Sequence, residues 1–146
     1  KKLYVGGNGP MMEEMQRYVR EHHMENVKFL GYLQKDEMSE KFYQAKAVIM
    51  TSQCYEAFAM TIAEAYSYGV PVIAGRVGNM DGMVQDGITG VKFTYNSAED
   101  LADKISAFDA MDLSVLKKNA RAFYAERLRP EDNYQKLIRI YEDISK

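Results

Sequence analysis

The residues best suited to chemistry in this chain are two carboxylates eight positions apart, Glu56 and Glu64. On a helix that spacing separates two side chains by about 80° around the axis and roughly 12 Å along it. Residues 57–63, between them, are small or apolar apart from Thr61. Residues 51–55 read as a polar turn and 58–68 as a helix, so Glu56 stands at the mouth of the helix and Glu64 two turns in. A helix N-terminus presents backbone N–H groups and a positive dipole end, which suits phosphate. Phosphate there with a carboxylate on each side fits a ligand that carries hydroxyls at both ends of a diphosphate. The plain alternative leaves Glu56 a solvated loop acid and Glu64 a surface residue of the helix.

Other chemistry-bearing residues offer less. Cys54 is the only cysteine, so it has no internal disulfide partner, which favours a reducing compartment. With no evident base beside it, the thiol reads as inert. His22 and His23 are adjacent, point about 100° apart on a helix, and cannot share a metal as i,i+4 ligands would. Gly7-Asn8-Gly9 lacks the third glycine of a dinucleotide fingerprint and reads equally as a tight strand-to-helix turn.

The elements that must position the two acids follow from local pattern. Residues 47–50 form a short apolar run suited to a buried strand. Gly69 sits where a helix C-cap belongs, and Pro71 lies in a second apolar run, 70–74. Strand, helix and strand in so short a span make a compact βαβ unit, which requires a parallel sheet. Upstream, strands are expected over 2–6 and 27–30 and helices from Pro10 and over 36–45, with Pro10 at the first helical position. Downstream, 75–82 reads as a glycine-rich loop, 83–86 as a helical turn and 90–94 as the last strand. Ser97 and Asp100 resemble a capping box ahead of Leu101, Ile105 and Phe108. Two further helices follow, one with Leu113, Leu116, Ala120 and Phe123 on a face. The other starts at Pro130 with Tyr134, Leu137, Ile138, Tyr141 and Ile144 on a stripe expected to face the core, with part of it exposed in a fragment that lacks a second domain.

The 146 residues suit one domain with a substantial core, and 47% hydrophobic with 27% charged residues is ordinary for a globular chain. A net charge of −2 leaves no electrostatic footprint for nucleic acid. No apolar run approaches the ~20 residues of a membrane helix.

Taken together, the segment resembles the Glu-x7-Glu motif of retaining glycosyltransferases of the GT-B fold (the family 4-like "glycosyl transferases group 1"), in their C-terminal, nucleotide-sugar-binding domain. The matching residues are Ser52, Glu56-Ala57-Phe58-Ala59, Glu64-Ala65 and Gly69-Val70-Pro71-Val72. Gly78, Val84, Asp86-Gly87 and Thr89-Gly90 match downstream, and Gly7-Asn8-Gly9-Pro10 and Val27-x-Phe29-x-Gly31 match upstream. The resemblance covers nearly the whole chain. It implies a Rossmann-like α/β fold, with a mostly parallel sheet flanked by helices and a helical C-terminus.

The function so implied is donor binding in glycosyl transfer from a nucleoside diphosphate sugar with retention, in polysaccharide or glycoconjugate synthesis. Glu64 would hold the ribose hydroxyls, and Glu56, the catalytic candidate, would contact hydroxyls of the donor sugar. Backbone N–H groups near Met60 and Thr61 would face the diphosphate, and Tyr32 and Leu33 would receive the base. Gly7, Phe58 and Ala59 complete the donor-binding set. No metal and no cofactor beyond the nucleotide sugar is expected. The implied setting is cytoplasmic, at the inner face of the membrane if the full-length enzyme associates with it peripherally. Rival readings are a nucleotide-sugar epimerase of similar fold and a non-catalytic interaction domain with a decayed donor site.

Departures from the family pattern add expectations. Ala59 replaces the usual glycine and would narrow the site, and Gly82 stands where a glutamate is usual. Residues 1–146 read as a donor-binding fragment that starts after the first strand of its sheet. It would lack the acceptor-binding N-terminal domain and an Arg and a Lys that bind the diphosphate, and would be inactive alone. The missing strand would lie between the strands beginning near Lys2 and Ala47. Its absence predicts a closed-up sheet, a strand borrowed from a second copy, or omitted residues.

Overall fold

The computed structural model describes every residue except Glu56 and Lys146. The chain divides into two compact units, residues 1–41 and 42–146, described separately below.

In the first unit, β1 (Leu3–Gly6) pairs in parallel with β2 (Val27–Gly31), Leu3 opposite Val27 and Val5 opposite Phe29. Helix α1 (Met12–Glu21) joins them. The helix begins two residues after Pro10, which lies in the turn that Met12 N–H closes onto Gly9 O, at 3.0 Å. Pro10 is thus not the first helical residue, because the glycine-flanked turn needs one more step before helical geometry is reached. Met15 and Tyr18 of α1 are exposed, and no residue of that helix is buried. Helix α2 (Lys35–Gln44) follows β2.

The second unit is built on β3 (Val48–Met50), β4 (Val72–Gly75) and β5 (Gly90–Phe93), parallel throughout in the order β3-β4-β5. All four residues of β4 are buried, as a central strand covered on both faces requires. Among the described residues the strands form two sheets, β1-β2 and β3-β4-β5, so of the three expected outcomes the closed-up sheet is not the one seen.

Helix α3 (Met60–Ser67) links β3 to β4 and ends as its sequence dictates. Gly69 takes φ +67°, Gly69 N–H donates to Tyr66 O and Val70 N–H to Ala65 O, both at 2.9 Å. That pair of bonds satisfies two carbonyls the helix end would otherwise orphan. A side chain at Gly69 would also stand 3.3 Å from Lys117 O.

Where a glycine-rich loop was expected, residues 78–83 form helix α4 (Gly78–Met83), and the expected turn at 83–86 is instead extended at Val84. Met80 and Met83 are both buried. Their burial outweighs the low helix propensity of the glycines.

Helix α5 (Ala98–Asp109) packs with α6 (Leu113–Arg127) on a cluster of Ile73, Val91, Phe93, Phe108 and Leu116. Ser97 Oγ caps α5 by accepting from Asp100 N–H at 3.1 Å. The Asp100 carboxylate does not return to Ser97. It accepts instead from Thr94 N–H, and the hydrogen bonds from Thr94 hold its pKa below the ordinary value. Asp112 caps α6 through Ser114 N–H and Val115 N–H.

The last helix, α7 (Pro130–Ile144), corrects the expectation of a core-facing stripe. Tyr134, Leu137, Tyr141 and Ile144 are exposed, and α7 has no buried residue. Periodicity shows which residues share a face and says nothing of whether another element covers it.

Candidate functional site

Helix α3 separates its residues sharply by burial. Ile62, Ala63, Ala65 and Tyr66 are buried, while Glu64 in their midst is exposed. The carboxylate therefore leaves the one side of a buried helix that meets solvent. Nothing in the packing of α3 requires a carboxylate there.

The start of α3 is equally divided. Ala59 is the N-cap residue, has no exposed surface, and no side chain caps the helix. Its methyl is buried, so Ala59 does not narrow the surface as expected from its replacing glycine. Its φ of −79° is open to any residue. Phe58 and Met60 on either side are 45% and 59% exposed, and Thr61 is half-buried. Met60 N–H donates to Phe58 O at 3.0 Å, so this N–H turns back on the chain. Glu56, the catalytic candidate, lies outside the described residues.

Residues 51–59 reach α3 from the carboxyl end of β3, and two neighbouring loops hold them. The Asn79 side-chain amide donates to Ala57 O. Gln53 Nε2 donates to Asn96 Oδ1 at 3.1 Å, and the Tyr95 hydroxyl reaches Gln53 O at 3.5 Å. Sequence reasoning missed all of these partners. The one signal available was Asn96, a residue type that tolerates the left-handed φ of +57° it adopts.

Asp81, the residue before Gly82, faces cations. Its carboxylate lies 2.9 Å from Lys92 Nζ and 3.7 Å from Arg76, while Arg76 also pairs with Asp86 at 2.8 Å.

The remaining candidates belong to the first unit. Gly7, at φ +113°, donates its N–H to Gly31 O at 2.7 Å, joining the loops that follow β1 and β2. Tyr32 is 70% exposed and Leu33 half-buried. A hollow of about 190 Å³ lies beside Gly7, lined also by Asn8, Gly9, Met12 and Met15. Among the described residues no group of three His, Cys, Asp or Glu side chains could hold a metal ion. None of their helices is long and apolar enough to cross a membrane.

With this geometry in place, comparison with known families is decisive. The family model described as "Glycosyl transferases group 1" matches residues 2–121. The chain belongs to this family. Its fold is shared with GT-B glycosyltransferases of known structure, sucrose-phosphate synthase from Thermosynechococcus elongatus among them. That structure is matched at a TM-score of 0.86 and 24% identity, over 98% of this chain and 38% of that one. The chain is also similar to Anabaena HepE, solved in complex with UDP-glucose. Here the TM-score is 0.78 and the identity 25%, over 97% of this chain and 41% of that one. Among curated relatives, sulfoquinovosyl transferase SQD2 of Arabidopsis thaliana is 31% identical over 120 residues, 79% of this chain and 23% of the plant protein. The chain spans 33% and 40% of two other relatives, from Klebsiella pneumoniae and Methanocaldococcus jannaschii, and so corresponds to well under half of a full-length member.

Proposed function

We propose that this glycosyl transferases group 1 chain is the donor-binding part of an enzyme that transfers a glycosyl group from a nucleoside diphosphate sugar to an acceptor, with retention at the anomeric carbon. The observation that carries the reading is Glu64, an exposed carboxylate between buried residues of α3, eight positions after the family's first motif acid. An exposed acid in that place has no packing role and is free to accept hydrogen bonds from a vicinal diol such as ribose. The complex of HepE with UDP-glucose supports the same ligand class.

In this reading Glu64 accepts from the ribose hydroxyls and Glu56 contacts the donor sugar. Backbone N–H groups at the start of α3, Thr61 among them, face the diphosphate. Donors aimed at the leaving diphosphate stabilise the negative charge that develops as the glycosidic bond breaks. Tyr32 and Leu33 receive the base, Gly7, Phe58 and Met60 line the donor, and buried Ala59 sets the start of α3 beneath it. The reaction as proposed uses no metal or organic cofactor. An N-terminal domain supplies the acceptor site, so residues 1–146 alone do not catalyse transfer. The full-length enzyme works in the cytoplasm, at the inner membrane face where its acceptor is lipid-linked, in polysaccharide or glycoconjugate synthesis.

The test is a donor panel on the full-length protein. Calorimetry with nucleoside diphosphates and their glucose, galactose and N-acetylglucosamine esters should single out one base. Anomeric analysis of the product should give the donor's configuration. Inversion, or epimerised nucleotide sugar without transfer, would contradict the proposal.

A further inference from the structure

The loop that bears the donor-facing residues is fastened by one side chain from helix α4 and one from the loop after β5, and neither is among the matching residues named above. Residues 51–59 leave the carboxyl end of β3. Helix α4, which carries Asn79, follows the carboxyl end of β4, and Asn96 follows that of β5. A parallel sheet gathers these ends on one edge, where ligands of open α/β sheets bind. Asn79 donates to Ala57 O, one residue before Phe58 and two before the α3 N-cap. Asn96 accepts from Gln53 Nε2 at 3.1 Å near the start of the same loop. Ala57 is therefore tied through its backbone carbonyl to an amide donor, and Gln53 through its side chain to an amide acceptor.

We infer that Asn79 and Asn96 are positioning residues that clamp residues 53–57 and so fix where the loop presents its donor-facing groups. The sequence separations, 22 residues for Asn79 and Ala57 and 43 for Asn96 and Gln53, make the clamp a product of the finished sheet. The tethered residues are exposed, so no hydrophobic packing duplicates the two bonds. Loosening either end should raise the population of displaced loop without disturbing the core. This inference rests on the donor-site reading for its effect on catalysis, whereas the clamp itself does not depend on that reading.

The test uses the full-length enzyme with Asn79→Asp, Asn79→Ala and Asn96→Gly. Aspartate keeps the shape of Asn79 and lacks the N–H donor. Glycine holds a positive φ without strain and lacks the acceptor. Losing one such bond should speed amide hydrogen exchange at residues 54–58 by about two- to tenfold, with exchange in β4 and α6 unchanged. Turnover of the nucleotide sugar should fall about tenfold, while affinity for the bare nucleoside diphosphate stays within about twofold. Asn79→Asp behaving as wild type while Asn79→Ala does not would assign Asn79 to packing and overturn the inference. Unchanged loop exchange would overturn it too, as would equal losses of diphosphate affinity and melting temperature. A wild-type enzyme that binds and turns over no nucleotide sugar would instead refute the donor-site reading, with the exchange data still deciding the clamp.

Discussion

Residues 86–90, ahead of β5, and residues 51–59, after β3, lie at opposite ends of one sheet, and each carries motif residues of the family. In the first, one polar side chain turns inward. Thr89 is 1% exposed, its hydroxyl accepts from Gln85 N–H at 2.9 Å and lies 2.7 Å from the Tyr66 phenol. Gly87 N–H closes the turn onto Gly90 O at 2.8 Å, and Asp86 Oδ1 accepts from Lys92 N–H. In the second, Gln53, Cys54, Tyr55, Ala57 and Phe58 are all exposed, and side chains from neighbouring loops hold the backbone. Motif membership thus has two physical meanings here. At one end of the sheet it specifies the fold, and at the other it leaves side chains such as Phe58 exposed.

Substitutions in the full-length protein can break or sharpen this contrast. The largest effect belongs to Gly90→Ala. A methyl group at that position would lie 1.8 Å from Val72 O, at the first pair of the β4–β5 ladder. The expected outcome is loss of soluble folded protein, read by expression and circular dichroism; a variant that folds normally would show the turn to be less constrained than its geometry requires.

Tyr66 and Thr89 come next. Burial pushes the Tyr66 phenol up to about 12, against a lowering by its hydrogen bond to Thr89. The folded state thus holds this proton more tightly than the unfolded chain, whose tyrosine titrates near 10. Its stabilising contribution is complete below pH 10 and is lost as pH rises through 10 to 12, by about 2–3 kcal/mol in all. Denaturant unfolding at pH 8 and pH 11 measures this, and Tyr66→Phe should flatten the difference. Thr89→Val strips both Gln85 N–H and the phenol of a buried partner and should cost about 1–3 kcal/mol of stability. Donor affinity should not change in the protein that remains folded, and a selective loss of affinity would contradict a purely structural role for the turn.

The smallest effect is expected for Asp81→Asn. The ion pairs of Asp81 with Lys92 and Arg76 are half-exposed, with Asp81 at 48%. Such pairs contribute at most about 1 kcal/mol, so the melting temperature should move little, and less at high salt.

How far these features were legible in the sequence depends on their range. Gly69 and the chain reversal after α3 were readable, because a left-handed C′ residue is a local requirement. So were β3, β4 and β5, whose short apolar runs need no partner to be recognised. Helix α4 was not, since its glycines argue for a loop and only the burial of Met80 and Met83 decides otherwise. The outward face of α7 was equally hidden, because a stripe of Leu, Ile and Tyr looks the same whether covered or bare. Within the proposed site, Glu64 was singled out by its spacing from Glu56 together with the family resemblance. Asn79 and Asn96 were missed because hydrogen bonds across 22 and 43 residues exist only once the sheet has formed.

Glu64→Ala in the full-length enzyme is the most direct test of the donor-site account. Truncating an exposed carboxylate should leave the melting temperature unchanged. Hydrogen bonds to a charged group contribute about 1.5–3 kcal/mol, so nucleoside diphosphate affinity by calorimetry should fall roughly ten- to a hundredfold. The same loss should appear with the nucleotide sugar, since both carry the ribose. Glu56→Ala should by contrast spare the bare diphosphate and impair turnover of the full donor. Diphosphate affinity within about twofold of wild type in Glu64→Ala would contradict the ribose assignment and return Glu64 to the solvated surface of α3.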